Sequence, residues 1–125
     1  MNKWFLVALG SGLGGILRYG ISTYIYHAIG KNFPYGTLVV NVLGCFLIGI
    51  LFVFLLERVE LGAEQLRAFL LIGCLGGFTT FSSFSIETIN LFENGETLSA
   101  ALNVMLSVIF CLVATSAGVH LGRLL

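Results

Sequence analysis

The apolar residues of this chain occur in long blocks that charged residues rarely enter. No charge falls within Asn32–Leu56, Ala68–Ile86 or Thr97–Gly122, and only Arg18 interrupts Trp4–Gly30. An α-helix needs about 20 apolar residues to cross the hydrocarbon core of a bilayer. The pattern therefore predicts an all-α membrane protein with four transmembrane helices, near residues 4–29, 36–56, 68–91 and 98–121.

Short connectors separate the predicted helices, and each contains residues that are typical of turns. The first has Gly30 and Pro34, the second has Gly62, and the third has Asn94-Gly95. None is long enough to form a domain, so residues 1–125 are predicted to be a single four-helix transmembrane domain. A cleaved signal peptide is the alternative for the first helix, but its apolar stretch is too long and contains Arg18.

The composition excludes most soluble functions. Hydrophobic residues make up 58% of the 125 residues and charged residues 10%, whereas soluble domains carry about 25% charged residues. So few charges cannot cover a small soluble enzyme, and six basic residues balanced by six acidic ones form no basic face for nucleic acid. No Ser-His-Asp arrangement or phosphate-binding loop is present. We therefore expect a non-enzymatic protein that is surrounded by membrane lipid.

The charges indicate an orientation only weakly. If both termini share one side of the membrane, Lys3, Arg58, Arg67 and Arg123 lie on that side and Lys31 lies on the other. Positive charge favours the cytoplasmic side, so this distribution predicts cytoplasmic termini.

Small residues recur four positions apart in three of the predicted helices. Small side chains let transmembrane helices approach closely. Packing within one chain accounts for most of these residues, and packing across a homodimer interface is the alternative for the rest. The spacing is seen in the pairs Gly10–Gly14 and Gly73–Gly77 and in the series Ala114, Gly118 and Gly122.

The third predicted helix contains a polar segment at its centre. Residues 76–85 include two glycines, five hydroxyl side chains and three phenylalanines. Glycine followed by β-branched threonine is poor helix-forming sequence, so we predict that this helix is broken at mid-membrane. Backbone freed by such a break is tolerated only where it is buried in protein or lines a cavity. A kinked helix, with its hydroxyls bonded back to carbonyls, is the alternative.

Two further polar groups fall inside predicted helices. Asn41 is an amide within a charge-free block, and Arg18 is a cation within the first helix. Intramembrane polar groups are costly and are functional candidates for that reason. Arg18 either attracts anions into a vestibule or forms a structural ion pair with Glu87.

These residue types suit a path for an anion. Amides and hydroxyls donate hydrogen bonds, and aromatic rings carry positive edges that can face an anion. Phe81 and Phe84 are three residues apart and share one helix face, although such a pair is usually part of a core. Asn103 and Ser107, at i and i+4 in the fourth helix, extend the row of donors. A small, strongly hydrated anion needs many donors in place of its water shell.

The three cysteines, Cys45, Cys74 and Cys111, all fall within predicted helices. Buried cysteine usually behaves as a small hydrophobic residue. Because their number is odd and their spacing matches no metal site, we predict packing roles only.

Three motifs together resemble the Fluc family of bacterial fluoride channels, also called CrcB proteins. The resemblance covers the whole chain in length, number of helices and motif order. The family pattern commonly has Leu at the position of Phe78 and Thr at the position of Ser83. The motifs are Gly14-Gly15-x-x-Arg18-Tyr19, Gly36-Thr37-Leu38-x-x-Asn41-x-x-Gly44 and Gly76-Gly77-Phe78-Thr79-Thr80-Phe81-Ser82-Ser83-Phe84.

The resemblance implies a fluoride-specific channel of the bacterial inner membrane. Passive efflux of cytoplasmic fluoride through it would reduce fluoride toxicity. The family assembles as a dual-topology antiparallel homodimer with two pores. A structural sodium ion, which is not transported, is implied at the dimer centre, held by the backbone carbonyls of Gly76 and Thr79. The side chains that the resemblance places along the fluoride path are those of Asn41, Phe81, Phe84, Thr80, Ser82 and Ser85.

A small proton-coupled multidrug-type exporter is the main alternative, because it also has four short helices and dual insertion. That class needs an acidic residue in the first helix, where this chain has Arg18 and no acid precedes Glu57. A non-transporting subunit of a larger membrane complex is a third hypothesis. It predicts no transport defect when Asn41 or Phe81 is replaced.

Overall fold

The computed structural model describes residues 1–59 and 61–125, and every regular element within them is helical. Four helical spans are long and apolar enough to cross a membrane. This confirms the prediction of an all-helical protein with four membrane-spanning helices. The first span is Lys3–Ile29, the second is Tyr35–Arg58, the third is Ala63–Glu93 and the fourth is Thr97–Leu124.

The turns between the spans depend on glycine. Gly30, Gly62 and Gly95 have φ values of 103°, 78° and 81°, a region that other residues adopt only with strain. At the start of the first span, the Asn2 side chain accepts a hydrogen bond from the Trp4 amide at 2.9 Å. These caps and turns set where each helix begins and ends.

The second and third spans are not regular α-helices throughout. The second span ends in a π-helical segment, Val53–Arg58, and the third contains a longer one, Ala68–Leu75. After a short α-helical turn at Gly76–Phe78, Thr79 and Thr80 adopt extended backbone angles. The helix resumes at Phe81–Glu93. The third span, which begins as an α-helix at Ala63–Arg67, therefore changes its hydrogen-bonding pattern four times along its length.

Glycine faces bring the first span against the first half of the third. A Cβ added at Gly14 would meet the Cys74 carbonyl oxygen and lie 2.8 Å from the Phe78 amide nitrogen. A Cβ added at Gly73 would lie 2.9 Å from the Gly10 Cα. The small-residue motifs of these two spans thus pack against each other within one chain, which leaves these faces unavailable to a homodimer interface.

The second and fourth spans form the other close pair. A Cβ added at Gly118 would lie 3.2 Å from the Gly49 Cα, and one added at Gly122 would lie 3.0 Å from the Val53 Cβ. The small residues of the fourth span are therefore also used within the chain. Close backbone approach replaces the large apolar core of a soluble protein, since lipid provides no hydrophobic force between helices.

We expect Gly14→Ala to lower the stability of the protein by about 1–3 kcal/mol, because the added methyl group would overpack a contact between two backbones. The measurement is the midpoint of thermal unfolding in detergent. The matched control is Gly12→Ala in the same helix, where an added Cβ has nothing within 4 Å. Equal changes in the two variants would contradict the close packing of the first and third spans.

Most of the surface along the spans is apolar. Between 11% and 33% of each span's most hydrophobic window is buried within the chain. Charged contacts gather at one end, where Lys3 pairs with Glu64 and Arg123 with Glu57. An apolar belt with charges at the end is the surface expected of a multi-pass membrane protein.

Candidate functional site

The interruption of the third span is held by the Asn41 side chain. Its Oδ1 accepts a hydrogen bond from the Thr80 amide at 2.7 Å, and its Nδ2 donates one to the Thr80 carbonyl at 3.0 Å. Thr80 also caps the next helix, since its Oγ1 accepts a hydrogen bond from the Ser83 amide at 3.1 Å. In a continuous helix, the Thr80 amide and carbonyl would bond to other backbone groups of the same helix. Here the Asn41 side chain, from the second span, bonds to them instead.

The helix that precedes the interruption ends at Phe78, so its last carbonyls need partners from elsewhere. The Leu75 carbonyl accepts hydrogen bonds from the Thr79 amide and the Thr79 hydroxyl, at 3.0 and 2.9 Å. The Gly77 carbonyl accepts one from Arg18 Nε at 3.1 Å. Gly76 lies between these two and is exposed. The guanidinium of Arg18 thus stabilises the negative end of a helix inside the third span.

The alternative of an Arg18–Glu87 ion pair is wrong. Within residues 1–59 and 61–125, ion pairs occur only at the charged end of the molecule. Glu87 instead accepts a hydrogen bond from the Thr37 hydroxyl at 2.7 Å, and that hydroxyl lies 3.4 Å from the Tyr26 hydroxyl. The other carboxylate oxygen of Glu87 is buried without a hydrogen-bond partner in the described part of the chain.

A first cavity of about 420 Å³ lies beside the interruption. The Phe81 and Phe84 rings line it, with their centroids 5.3 Å apart and their planes tilted by 53°. Phe81 is 78% exposed, so this wall of the cavity is open to the surroundings of the chain. The other predicted site residues that line the cavity are Asn41, Thr80, Ser107, Gly76 and Thr79.

A second cavity of about 270 Å³ also borders the interruption, and Thr80 lines both cavities. Arg18 and Glu87 also line the second cavity, although they do not pair. Tyr26 and Glu87 line both the second cavity and a third cavity of about 550 Å³. The third cavity is also lined by Lys31 and other polar residues of the connectors. Each cavity therefore shares at least one lining residue with the next, from the first cavity to the connectors.

Three of the predicted site residues make contacts inside the chain and are absent from the lining of these cavities. Ser82 Oγ lies 3.2 Å from the Thr80 hydroxyl, and Ser85 donates to the Phe81 carbonyl at 2.9 Å. Asn103 is 2% exposed and donates to the Thr88 hydroxyl at 2.9 Å. Ser107, which does line the first cavity, lies 3.4 Å from Asn103 Oδ1.

Sequence reasoning did not single out Thr37 or Ser83 as separate site residues. Both lie in the second cavity. Each stands in a motif that had been noted, but a hydroxyl in an apolar helix carries no sign of which side it faces. No group of three or more His, Cys, Asp or Glu residues is arranged to hold a metal ion within the described residues.

A family model described as "CrcB-like protein, Camphor Resistance (CrcB)" matches residues 5–119. The chain belongs to the CrcB family. Its resemblance to that family, first seen in three motifs, is therefore confirmed over most of the chain. The Asn41–Thr80 contact joins two of those motifs in space, and the Arg18–Gly77 contact joins the third to them.

Several relatives within the CrcB family carry the name "Fluoride-specific ion channel FluC". The protein of Coxiella burnetii (strain Dugway 5J108-111) is 55% identical, over 94% of this chain and 95% of the relative. That of Geobacter metallireducens is 49% identical, over 94% of each chain. That of Geotalea daltonii is 46% identical, over 98% of each. Such identity over nearly full length extends beyond the motifs to the four spans.

Proposed function

We propose that this protein is a fluoride-specific channel through which cytoplasmic fluoride leaves the cell passively, which reduces fluoride toxicity. The proposal depends mainly on one observation: two cavities that are lined by hydrogen-bond donors share Thr80, where the backbone is released from its helix. The names of relatives up to 55% identical support it. An exporter would need a titrating carboxylate in the first span, and that span contains Arg18 instead.

The chemistry of the first cavity suits fluoride. Asn41 uses one N–H of its amide on the Thr80 carbonyl, and the other N–H is free to donate to an anion. The Ser107 hydroxyl also lines this cavity, and its single O–H donates to Asn103 Oδ1 at 3.4 Å. Phe81 and Phe84 offer the positive edges of their rings. These groups together replace part of the hydration shell of a small anion.

The second cavity provides the electrostatic part of the path. Arg18 supplies a permanent positive charge there, and its contact with Gly77 uses only the Nε of its guanidinium. A cation inside a low-dielectric region attracts an anion far more strongly than it would in water. Lys31 lines the third cavity, closer to the end of the chain. We propose that fluoride passes Lys31 and Arg18 before it reaches Thr80.

We propose further that two copies assemble as an antiparallel, dual-topology homodimer. A pore wall cannot remain open to lipid, yet Phe81 is 78% exposed in the single chain. A second copy would close the first cavity. Thr79 lies near the middle of the third span, Ala63–Glu93. A two-fold axis in the membrane plane would therefore bring the interruptions of both copies to the same depth, at mid-membrane.

A structural sodium ion at that axis is part of the proposal. Gly76 follows the π-helical segment Ala68–Leu75, is exposed, and lies in the last turn before the helix ends at Phe78, where carbonyls carry partial negative charge. Thr79 uses its amide and hydroxyl on Leu75, which leaves its carbonyl as its remaining polar group. Carbonyl oxygens suit a hard cation. Gly76 and Thr79 would hold the ion, which would neutralise the facing carbonyls of the two copies without being transported.

The test is fluoride efflux from liposomes that contain the purified protein, read with a fluoride electrode, with chloride efflux measured in parallel. We expect fast fluoride efflux without chloride efflux. Replacing sodium by N-methylglucamine on both sides is expected to abolish fluoride efflux, and sodium flux is expected to be absent throughout. No fluoride efflux from a verified dimer in sodium would refute the channel, and efflux that is independent of sodium would refute the sodium site alone.

A further inference from the structure

Two cysteines from different spans are brought to the same place by the packing of the second and fourth spans. A Cβ added at Gly49 would lie 2.8 Å from the Val119 amide, and one added at Gly118 would lie 3.2 Å from the Gly49 Cα. A Cβ added at Gly49 would also meet the Thr115 carbonyl oxygen. Cys45 and Cys111 lie four residues before Gly49 and Thr115, respectively. Because the second and fourth spans run in the same direction and residues four positions apart share a helix face, this register places Cys45 beside Cys111.

Both Cys45 and Cys111 line the first cavity. Both are half-buried and neither is part of a disulfide. Cys74 is different, because it lies on the face of the third span that packs against Gly10 and Gly14 of the first span. Cys74 is not among the residues that line the first cavity. The chain thus contains one pair of facing thiols and one separate thiol.

The chemistry around the pair selects a particular kind of ligand. Two thiols with no third ligand suit a soft d¹⁰ cation that accepts linear, two-coordinate binding, rather than Zn²⁺, which needs four ligands. The cavity around them contains no charged side chain, so a neutral complex is favoured there. A divalent ion meets this condition, because each thiol loses one proton: two R–SH and Hg²⁺ give R–S–Hg–S–R and two H⁺.

We propose that Cys45 and Cys111 form a two-thiolate site for a soft divalent cation, represented by Hg²⁺, in the wall of the first cavity. Asn41, Thr80 and Phe81 line the same cavity. An ion on the thiol pair would therefore stand beside the groups that contact fluoride. Occupation of the site blocks fluoride efflux, a consequence that rests on the proposed channel function, whereas the binding itself does not.

The experiment uses the full-length protein and the variants Cys45→Ala, Cys111→Ala and Cys74→Ala. Each protein is treated with Hg²⁺, washed with glutathione, and analysed for retained metal by intact-protein mass spectrometry. We expect one Hg²⁺ per chain in the wild type and in Cys74→Ala, because two thiolates together resist a monothiol. Loss of a residue that only hydrogen-bonds to a metal ligand lowers metal affinity about 10–100-fold. Loss of one of the two ligands themselves should therefore weaken Hg²⁺ retention by at least about a hundredfold.

The same proteins are then assayed for fluoride efflux with and without Hg²⁺. We expect Hg²⁺ to slow efflux by about tenfold or more, which corresponds to 1.4 kcal/mol, in the wild type and in Cys74→Ala, with recovery after a dithiol. Retention that persists in Cys45→Ala or disappears in Cys74→Ala would overturn the site. Retention of Hg²⁺ with no change in fluoride efflux would overturn the proposed inhibition. Absence of efflux before Hg²⁺ is added would count against the channel, while the retention data would still decide the site.

The cysteine variants also need to be folded for this comparison. Size-exclusion elution in detergent checks each of them before treatment. Cys45→Ser and Cys111→Ser serve as second variants, because serine keeps the size of the side chain but is a poor ligand for a soft cation. Retention of Hg²⁺ by either serine variant would contradict the two-thiolate site in the same way as retention by the alanine variants.

Discussion

Asn41→Ala is expected to lower the fluoride efflux rate by about a hundredfold or more. The substitution removes both partners of the Thr80 backbone, the amide at 2.7 Å and the carbonyl at 3.0 Å. Each unpaired buried group costs about 1–3 kcal/mol, and a hundredfold change corresponds to about 2.8 kcal/mol. The second N–H of the Asn41 amide, the donor that we assign to fluoride, is lost as well. The measurement is the initial rate of efflux from liposomes at equal protein density.

Two comparisons make this result specific. Asn2→Ala removes the same amide from the exposed start of the chain, outside the lining of the three cavities, and should leave efflux close to that of the wild type. Asn41→Asp keeps an acceptor for the Thr80 amide but removes the donor and adds a negative charge, so it should also abolish efflux. Efflux in Asn41→Ala that equals that of the wild type would support the hypothesis of a non-transporting subunit.

Phe81→Ile is expected to reduce fluoride efflux by about tenfold or more while the protein remains assembled. Isoleucine keeps apolar bulk but has no ring edge, and aromatic pairs contribute about 0.5–1.5 kcal/mol beyond their buried area. The Phe81 and Phe84 rings lie 5.3 Å apart, so loss of one ring also frees the other. A rate measured over several fluoride concentrations would show whether the substitution affects binding of the ion or its maximum flux.

Phe92→Ile is the matched control for Phe81→Ile. Phe92 lies on the same span, is 61% exposed, and is absent from the lining of the three cavities. It should change efflux little. If both variants reduced efflux equally, the effect would come from a general disturbance of the third span, and the assignment of Phe81 to the fluoride path would be refuted.

The helices could be predicted from the sequence because crossing a bilayer imposes a length and an apolar composition that few other structures share. The π-helical segments Val53–Arg58 and Ala68–Leu75 could not be predicted. An α-helix has 3.6 residues per turn and a π-helix has wider turns. In a block where nearly every residue is apolar, this change alters no pattern of polar positions, so the sequence gives no sign of it. The close approach of Gly14 to Cys74 was likewise predictable as a type of contact and not as a particular pair.

The candidate site was also predictable from the sequence only in part. Its polar residues were found because a polar group inside a membrane helix is costly and therefore informative. The partners of these residues were harder to predict. Arg18 was considered as a partner of Glu87, whereas it donates to the Gly77 carbonyl. Charge suggests pairing with an acid, but a carbonyl at the end of an interrupted helix is also a strong acceptor, and only the fold shows which is nearer.

The sequence by itself determined that this protein spans a membrane with four helices, that it belongs to the CrcB family, and which polar residues merit attention. Composition, helix length and motif are properties of single segments, so they can be read along the chain. Only the tertiary structure decided that Asn41 pairs with Thr80, that Thr37 donates to Glu87, and that Cys45 and Cys111 line one cavity. Each of these contacts joins residues from different spans. Which residues meet depends on the register between the helices, and the close packing at glycine fixes that register only in three dimensions.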